Sequence, residues 1–384
     1  MADLIYILKH KDKDAALIKL TDKGDMVSYE PIDLSLTPYL GTADAAKIRR
    51  WWKTRGIPLT RRSLNAFLAE HGIKSSEEYL IKNLALSMTD SYWIAPLDSN
   101  LRWSDVNLRV ILKGGYAPIA LHNVSSYDPN ATLSGNMNKY WEISGNEAVL
   151  VKEAREYYGL QALNEQFATM INDNQAPDVP YVKYRAYKVD DGFDVKCKCF
   201  VEQDQDLVPA LEIVDSKKNA NDVSLYDHYI ETCVQNGIAE DEITRFMDYQ
   251  TALDFVISNT DEHLLNFGVK RDSETLRLVA PAPIYDNGNS MFYSENRIYS
   301  RVEMLGRRIT GVYEREEKML AHIKDRMILK ESLLPSPEDV RDFYAQADMP
   351  EKKLDMIVKN YETKVQLFHD FQCGKTISLY HEKQ

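Results

Sequence analysis

The chain contains 384 residues, of which 44% are hydrophobic and 28% charged. This composition is ordinary for a folded protein, and the length exceeds what one hydrophobic core usually serves, so we expect two packed lobes or domains with a cleft between them. A net charge of −12 disfavours direct binding to nucleic-acid phosphates, and the four cysteines form no C-x-x-C pair that would indicate zinc. No apolar run reaches membrane-spanning length, and we expect a cytoplasmic protein with reduced thiols.

The first 110 residues predict an accessory α/β region. Two short β-rich runs, at 4–9 and 15–20, flank a charged connection and predict a hairpin within a small sheet. The apolar periodicity then becomes helical, which predicts helices at 43–55, from near Thr60, and at 75–86. We therefore expect a small sheet followed by helices in this region.

The rest of the chain divides into a β-rich part and a helical part. Loop-forming residues dominate 95–139, and we place the main boundary there. Apolar patterns after it predict four strands and one helix, in the order 140–143, 147–153, helix 157–172, 181–189 and 193–201. Further on the pattern predicts helices at 222–236, 240–259, 313–324, 336–347 and 350–370. The predicted units are therefore 1–110, 111–203 and 204–384.

Two polar loops carry the candidate chemistry. The first, residues 259–268 (NTDEHLLNFG), follows a strongly apolar helix end, and the second, residues 282–288 (APIYDNG), delivers one carboxylate at a turn. Phosphoryl transfer needs a group that accepts a hydroxyl proton and oxygen ligands for metal ions. Asp261 suits the first role, and Asn266 and Asp286 suit Mg²⁺, which prefers one or two protein carboxylates beside phosphates and water.

These motifs resemble those of HipA-like serine/threonine protein kinases. Residues 259–268 are similar to the family's N-T-D-x-H-x-x-N-F-G catalytic loop, and residues 283–286 to its P-x-Y-D metal segment. Residues 134–139 (SGNMNK) are similar to its phosphate loop with a terminal lysine. The resemblance covers about residues 120–330, whereas the first 110 do not resemble the family's N-terminal subdomain.

The resemblance implies roles for residues before the catalytic loop. Ser134 and Lys139 would bind ATP phosphates, and Ser134 is also a candidate autophosphorylation site. Lys152 would contact the phosphates and act in catalysis beside Asp261, although an exposed strand lysine is the alternative. Glu165 would be its partner on the following helix, with Glu153 and Glu156 as rivals.

The resemblance also implies adenine-side and loop contacts. Glu202 and Asp204 would lie in the hinge that meets adenine, although this chain has Gln-Asp-Gln at 203–205 where the family often has Arg-Phe-Asp. His263 is a candidate ATP contact, with a structural hydrogen bond within its loop as the alternative. Tyr285 is a further ATP-binding candidate, with a packing role as the alternative.

The resemblance implies an α+β, two-lobed protein-kinase-like fold, with a small β-rich lobe, a larger helical lobe and the additional N-terminal α/β segment. Its implied function is transfer of the γ-phosphoryl of ATP, with Mg²⁺, to Ser/Thr hydroxyls, with a protein substrate of the translation machinery and a small antitoxin-like or DNA-binding partner. A small-molecule kinase and a pseudokinase scaffold remain alternatives.

A basic, aromatic helix offers a third alternative, a DNA-binding regulator. Aromatic rings among positive charges can contact nucleic acid, but a solvated helix face with anchoring tryptophans is the other interpretation. The residues are Lys47, Arg49, Arg50, Lys53, Arg55, Arg61 and Arg62, with Trp51 and Trp52.

Overall fold

The computed structural model describes residues 4–112 and 127–382. Residues 113–126, which follow the predicted start of the second unit at 111, lie outside the described residues. Three antiparallel sheets and fifteen α-helices form the described parts. In these two stretches, no helix has both the length and the apolar character needed to span a bilayer.

The N-terminal region is a four-stranded sheet covered by helices. The predicted hairpin is confirmed, and the strand order is β3-β2-β1-β4. Asp44 begins the second helix by accepting hydrogen bonds from the backbone N–H groups of Ala46 and Lys47. The strands are β1 Leu4–His10, β2 Lys13–Leu20, β3 Met26–Pro31 and β4 Tyr92–Pro96. The helices are α1 Pro38–Gly41, α2 Ala45–Arg55, α3 Arg62–Glu70, α4 Ser76–Lys82, α5 Trp103–Val106 and α6 Leu108–Ile111.

The second sheet holds the four strands that the sequence predicted around one helix. Its strand order is β5-β6-β8-β7. The helix begins three residues later than predicted because Tyr157, Tyr158 and Gly159 adopt positive φ angles of 48°, 61° and 73°. The elements are β5 Asn138–Ser144, β6 Glu147–Ala154, α7 Leu160–Gln175, β7 Arg185–Val189 and β8 Gly192–Lys198.

The C-terminal part is mostly helical, as predicted, but it also contains a third sheet that the sequence analysis missed. Its strands are β9 Gln205–Pro209, β10 Gly268–Asp272 and β11 Leu278–Pro281. The helices are α8 Ala210–Ser216, α9 Leu225–Gln235, α10 Glu240–Ile257, α11 Arg301–Leu305, α12 Glu316–Met319, α13 Pro337–Tyr344, α14 Glu351–Gln372 and α15 Leu379–Glu382. The helix predicted at 313–324 is only the short α12, because an antiparallel bridge between Arg308 and Arg315 occupies the chain before it.

The N-terminal region packs against both other parts of the molecule. Its core includes Trp141 and Ile143, which lie at one end of the buried face of the second sheet. Val195 and Phe193 of β8 lie on the same face and pack with α7 in the core that continues into the C-terminal part. The N-terminal region also reaches the third sheet, where the backbone N–H of Leu207 donates to the carbonyl of Thr89. It is therefore part of the molecule's folded body.

Candidate active site

A cavity of about 550 Å³ lies where the second sheet, the loops after α10 and β11, and the N-terminal region meet. The cavity size and mixed lining are typical of a small-molecule site. Eight of the predicted site residues line it: Ser134, Lys139, Lys152, Asp261, His263, Asn266, Tyr285 and Asp286. Glu165 lies behind Lys152, whereas Glu202 and Asp204 do not reach the cavity.

Lys152, Glu165 and Asp286 form the charged centre of this cavity. The Lys152 Nζ lies 2.5 Å from Glu165 Oε1 and 2.7 Å from Asp286 Oδ1. The lysine and glutamate side chains are 3% and 1% exposed, so Lys152 is not a solvated strand lysine. The rival partners Glu153 and Glu156 do not make this contact, and the structure brings together the pair expected from the sequence.

Electrostatics favour the charged forms of Lys152 and Asp286, whereas burial raises the pKa of Glu165. Burial by itself lowers the pKa of Lys152, but the carboxylates of Asp286 and Glu165 outweigh it and raise that pKa well above its ordinary value. Burial likewise tends to raise the pKa of Asp286, and the positive charges of Lys152 and Lys139 reverse this and hold it well below its usual range. Asp286 is therefore an ionised carboxylate at neutral pH.

A local bridge places Asp286 at the cavity. The backbone N–H of Val182 donates to the Ile284 carbonyl at 2.9 Å, and that of Ile284 donates to Pro180 at 2.9 Å. Asp286 then adopts a left-handed φ of 63°, which is uncommon for a residue other than glycine. The next backbone N–H, of Asn287, donates to Glu165 Oε2 at 2.9 Å. Glu165 therefore positions both Lys152 and the Asp286 turn.

The loop after α10 is held together by its own polar groups. Asn259 is buried, and its Nδ2 donates to Asp254 and Glu262 at 3.0 Å each. The Nδ2 of Asn266 donates to the Asp261 carbonyl at 2.8 Å. The backbone N–H of Leu265 donates to His263 Nδ1 at 3.3 Å, so His263 has the structural role that was one of its two alternatives and also lines the cavity.

Gly268 ends the same loop, at a point where the chain passes very close to β9. A Cβ at Gly268 would lie 2.2 Å from the Val208 carbonyl oxygen, so no other residue fits without moving β9 away from β10. Tyr285 packs beside this loop, with its hydroxyl 3.3 Å from the Leu265 carbonyl and its ring 5.4 Å from that of Phe200. The tyrosine thus has the packing role, while its ring forms part of the cavity wall.

Sequence reasoning missed Asn289 and Gln161, which orient Asp261. The Nδ2 of Asn289 donates to Asp261 Oδ2 at 2.6 Å, and Gln161 Nε2 donates to Asn289 Oδ1 at 2.6 Å. The polar residues at 287–290, directly after Asp286, could have indicated Asn289 as a residue of the site. Nothing in the sequence pairs it with Gln161, which lies on α7.

Residues 134–139 form the rim of the cavity. Ser134 is exposed there, and Gly135 has a left-handed φ of 87° in which a Cβ would lie 2.8 Å from Lys139 Nζ. Burial lowers the pKa of Lys139 to about 8, and within the described part of the chain its ammonium has no hydrogen-bond partner. The rim therefore presents a free cation to the cavity.

The oxygen atoms near Asp286 fit a hard divalent cation. Because Asn266 uses its Nδ2 internally, its Oδ1 is left as a ligand, and Asp286 uses only Oδ1 to contact Lys152. No group of three or more His, Cys, Asp or Glu residues in the described stretches could hold a metal alone. This donor set suits Mg²⁺ bound with phosphate oxygens and water more than a closed protein site.

The predicted hinge contacts are not available at Glu202 and Asp204. Arg109 of the N-terminal region donates to the Glu202 carbonyl, and Ser273 donates to the Asp204 carbonyl through its N–H and hydroxyl at 2.9 and 2.8 Å. Packing of the N-terminal region and the third sheet thus turns this segment away from the cavity. Cys199 and Phe200 line the wall in its place.

The tryptophan helix offers no stacking surface for nucleic acid. Trp51 and Trp52 are 5% and 1% exposed and belong to the core of the N-terminal region. The Arg55 guanidinium forms two hydrogen bonds of 2.8 Å with the Asp90 carboxylate, and Arg50 forms an ion pair with Asp215. The anchoring interpretation of the tryptophans is therefore correct.

Neither a protein-family model nor a curated protein matches the sequence. One similar solved structure is HipA of the Shewanella oneidensis MR-1 toxin–antitoxin system, determined with HipB and its operator DNA. It aligns with a TM-score of 0.53 and 13% sequence identity, over 97% of this chain and 98% of that chain. The Helicobacter pylori proinflammatory kinase CtkA aligns with a TM-score of 0.45 and 14% identity over 62% of this chain and 96% of that chain. The alignment with HipA includes the N-terminal region, which the sequence had set apart from the family. The chain therefore has an α+β, kinase-like fold similar to that of HipA.

Proposed function

We propose that this chain is an ATP- and Mg²⁺-dependent protein kinase that transfers the γ-phosphoryl group to a Ser or Thr hydroxyl. The observation that carries the proposal is the buried Lys152–Glu165 pair joined to Asp286 in a cavity that Asp261 and Asn266 also line. Protein kinases need this lysine–glutamate pair and the metal-binding aspartate in place together.

Each residue has a task in the proposed reaction. Asp261, oriented by Asn289, accepts the proton of the attacking hydroxyl. Lys152 and Lys139 hold the triphosphate by charge, and the backbone of residues 134–136 adds amide donors. Asn266 and Asp286 would bind Mg²⁺, which when bound neutralises charge on the phosphates. Lys152, whose side chain is 3% exposed, is largely shielded from solvent, which strengthens its interaction with a phosphate.

We also propose a protein acceptor and a small antitoxin-like or DNA-binding partner. The support is the fold similarity to HipA, which was determined with HipB and operator DNA. Fold alone does not identify a substrate. Assays that offer lysate proteins and small hydroxyl compounds separately would distinguish a protein kinase from a small-molecule kinase.

The first test is incubation with γ-labelled ATP and Mg²⁺ followed by mass spectrometry. We expect label on wild type or on lysate proteins, and none with Asp261→Ala. The matched control is Asp191→Ala, because Asp191 lies exposed in the turn between β7 and β8 and should keep full activity. Label on Ser134 would support autophosphorylation of the exposed rim.

Two results would contradict the proposal. Equal labelling of wild type and Asp261→Ala would mean that Asp261 is not the base. ATP binding without transfer to any protein or small molecule would instead support the pseudokinase scaffold.

A further inference from the structure

One buried arginine of the N-terminal region contacts the rim of the cavity. Arg61 lies directly before α3, is 5% exposed, and donates four hydrogen bonds to the loop. Its Nη2 lies 2.5 Å from the Leu133 carbonyl, 3.2 Å from that of Ser134 and 2.8 Å from that of Gly135, and its Nε lies 3.1 Å from Gly135. A single planar donor group therefore holds three successive carbonyls.

The residues beside Arg61 extend this contact along the loop. The Thr60 hydroxyl bonds to Asn136 Oδ1, and the Ser63 hydroxyl donates to Asn138 Oδ1 at 2.5 Å. Residues 60–63 thus follow the loop from its start to the first residue of β5. Any displacement of this segment would remove the support of the loop.

The held carbonyls set the direction of the loop amides. In a trans peptide the N–H and C=O groups point to opposite sides, so the N–H groups of Ser134, Gly135 and Asn136 point away from Arg61. Within residues 4–112 and 127–382, none of these three N–H groups donates to a protein acceptor. Successive free amides on a loop that lines a cavity are a typical arrangement for binding an anion.

The positive charge of Arg61 also favours binding of an anion at this loop. Its guanidinium has no carboxylate partner among the described residues, and burial lowers its pKa to about 10. Burial is also the main cause that lowers the pKa of Lys139, and the positive charges of Lys152 and Arg61 lower it further, against Asp286. An anion at this loop would therefore meet the positive charge of Lys139 in the cavity and that of Arg61 behind the loop.

We infer that Arg61 is a positioning residue for nucleotide binding, through which the N-terminal region holds residues 133–136 ready for the triphosphate. The inference rests on the proposed kinase function, because it assigns the loop to phosphate. Through Arg61, the N-terminal region would be a part of the nucleotide site. Adenosine, which has no phosphate, should bind independently of Arg61.

The test compares Arg61→Gln and Arg61→Lys with Arg50→Gln in the full chain. Arg50 is the matched control because it also joins the N-terminal region to the rest of the molecule, through an exposed ion pair with Asp215. Arg61→Lys keeps the buried charge but lacks the planar fork, so it tests the geometry if Arg61→Gln does not fold. Two readouts are measured, nucleotide affinity by calorimetry and amide order parameters of Ser134 and Gly135 by NMR.

We expect Arg61→Gln to weaken ATP binding by ~10- to 100-fold, because a loop that has lost its hydrogen bonds to Arg61 must be ordered when the triphosphate binds, with unchanged adenosine affinity. Order parameters of the loop amides should fall from about 0.85 to below about 0.6, and Arg50→Gln should change neither quantity. Arg61→Lys should shift both in the same direction by less.

The inference is overturned if the loop amides stay as ordered in the Arg61 variants as in wild type. It is equally overturned if ATP affinity is unchanged, or if ATP and adenosine affinities fall together, which would indicate a general structural defect. Failure of the wild type to bind ATP would refute the proposed function and the nucleotide role of Arg61, while the order parameters would still decide whether Arg61 holds the loop.

Discussion

Replacing Glu165 with glutamine tests the central pair of the site. Glu165 accepts from two donors, the Lys152 ammonium on Oε1 at 2.5 Å and the Asn287 backbone N–H on Oε2 at 2.9 Å. A glutamine amide has only one oxygen, so its NH₂ group must face one of these two donors. In a side chain 1% exposed, water cannot replace the lost contact.

The expected loss of stability depends on the carboxylate that Lys152 keeps as a partner, that of Asp286. Removing one partner of a buried ion pair costs ~3–5 kcal/mol when the other charge is left uncompensated. Because Asp286 still lies 2.7 Å from Lys152, we expect Glu165→Gln to lower the free energy of unfolding by about 2–3 kcal/mol. Whichever donor faces the amide NH₂ group, either Lys152 or the Asp286 turn loses its contact with α7, so phosphoryl transfer should fall as well.

Urea unfolding followed by circular dichroism measures this cost, and Glu153→Gln is the matched control. Glu153 lies next to Lys152 on β6, is 30% exposed, and lies 3.6 Å from Arg155. Its replacement should cost less than about 1 kcal/mol, as for other surface ion pairs. If the two variants lose equal stability, the buried pair does not have the role assigned here.

Three further results are expected. Asp261→Asn should lower kcat ~10²- to 10⁴-fold with ATP affinity almost unchanged, whereas Asp286→Asn should weaken Mg²⁺-dependent ATP binding too, both measured by kinetics and calorimetry. Asn289→Ala should lower kcat about tenfold without changing ATP affinity, because it only frees the Asp261 carboxylate. Burial raises the pKa of Glu212 from 4.5 to about 7. The folded protein therefore holds this proton more tightly than the unfolded chain does. The contribution of the protonated carboxyl to the free energy of unfolding is complete below pH 4.5 and is lost as the pH rises through about 7. Glu212→Gln, which can still accept from the Tyr39 N–H, should therefore gain about 2–3 kcal/mol relative to wild type between about pH 5 and pH 8 in urea unfolding.

Each of these expectations has a contradicting result. Equal losses of ATP affinity in Asp261→Asn and Asp286→Asn would refute the separate roles of base and metal ligand. A loss of ATP affinity in Asn289→Ala would mean that this residue supports the cavity as a whole. A stability difference that does not change with pH in Glu212→Gln would show that this carboxyl stays ionised in the folded protein.

Local pattern was sufficient for the elements with strong periodicity or clear termini. The hairpin of β1 and β2 and the helices α7, α10 and α14 were predictable because alternation and helical spacing are properties of consecutive residues. The third sheet was not, since its strands are short and contain Pro209, Gly268 and charged residues. Their pairing is supported by the buried contact of Arg271 with Asp206 at 2.7 Å, which joins distant parts of the chain.

The sequence by itself determined which residues could do chemistry, because Asp261, Asn266 and Asp286 occur in motifs whose order and spacing are local. Tertiary structure decided which glutamate pairs with Lys152, and that Glu202 faces away from the cavity. It also decided that Asn289 orients Asp261 and that Arg61 holds the loop at 133–135. These contacts join residues far apart in the chain, and only the packing of the N-terminal region, the second sheet and α7 brings them within hydrogen-bonding distance.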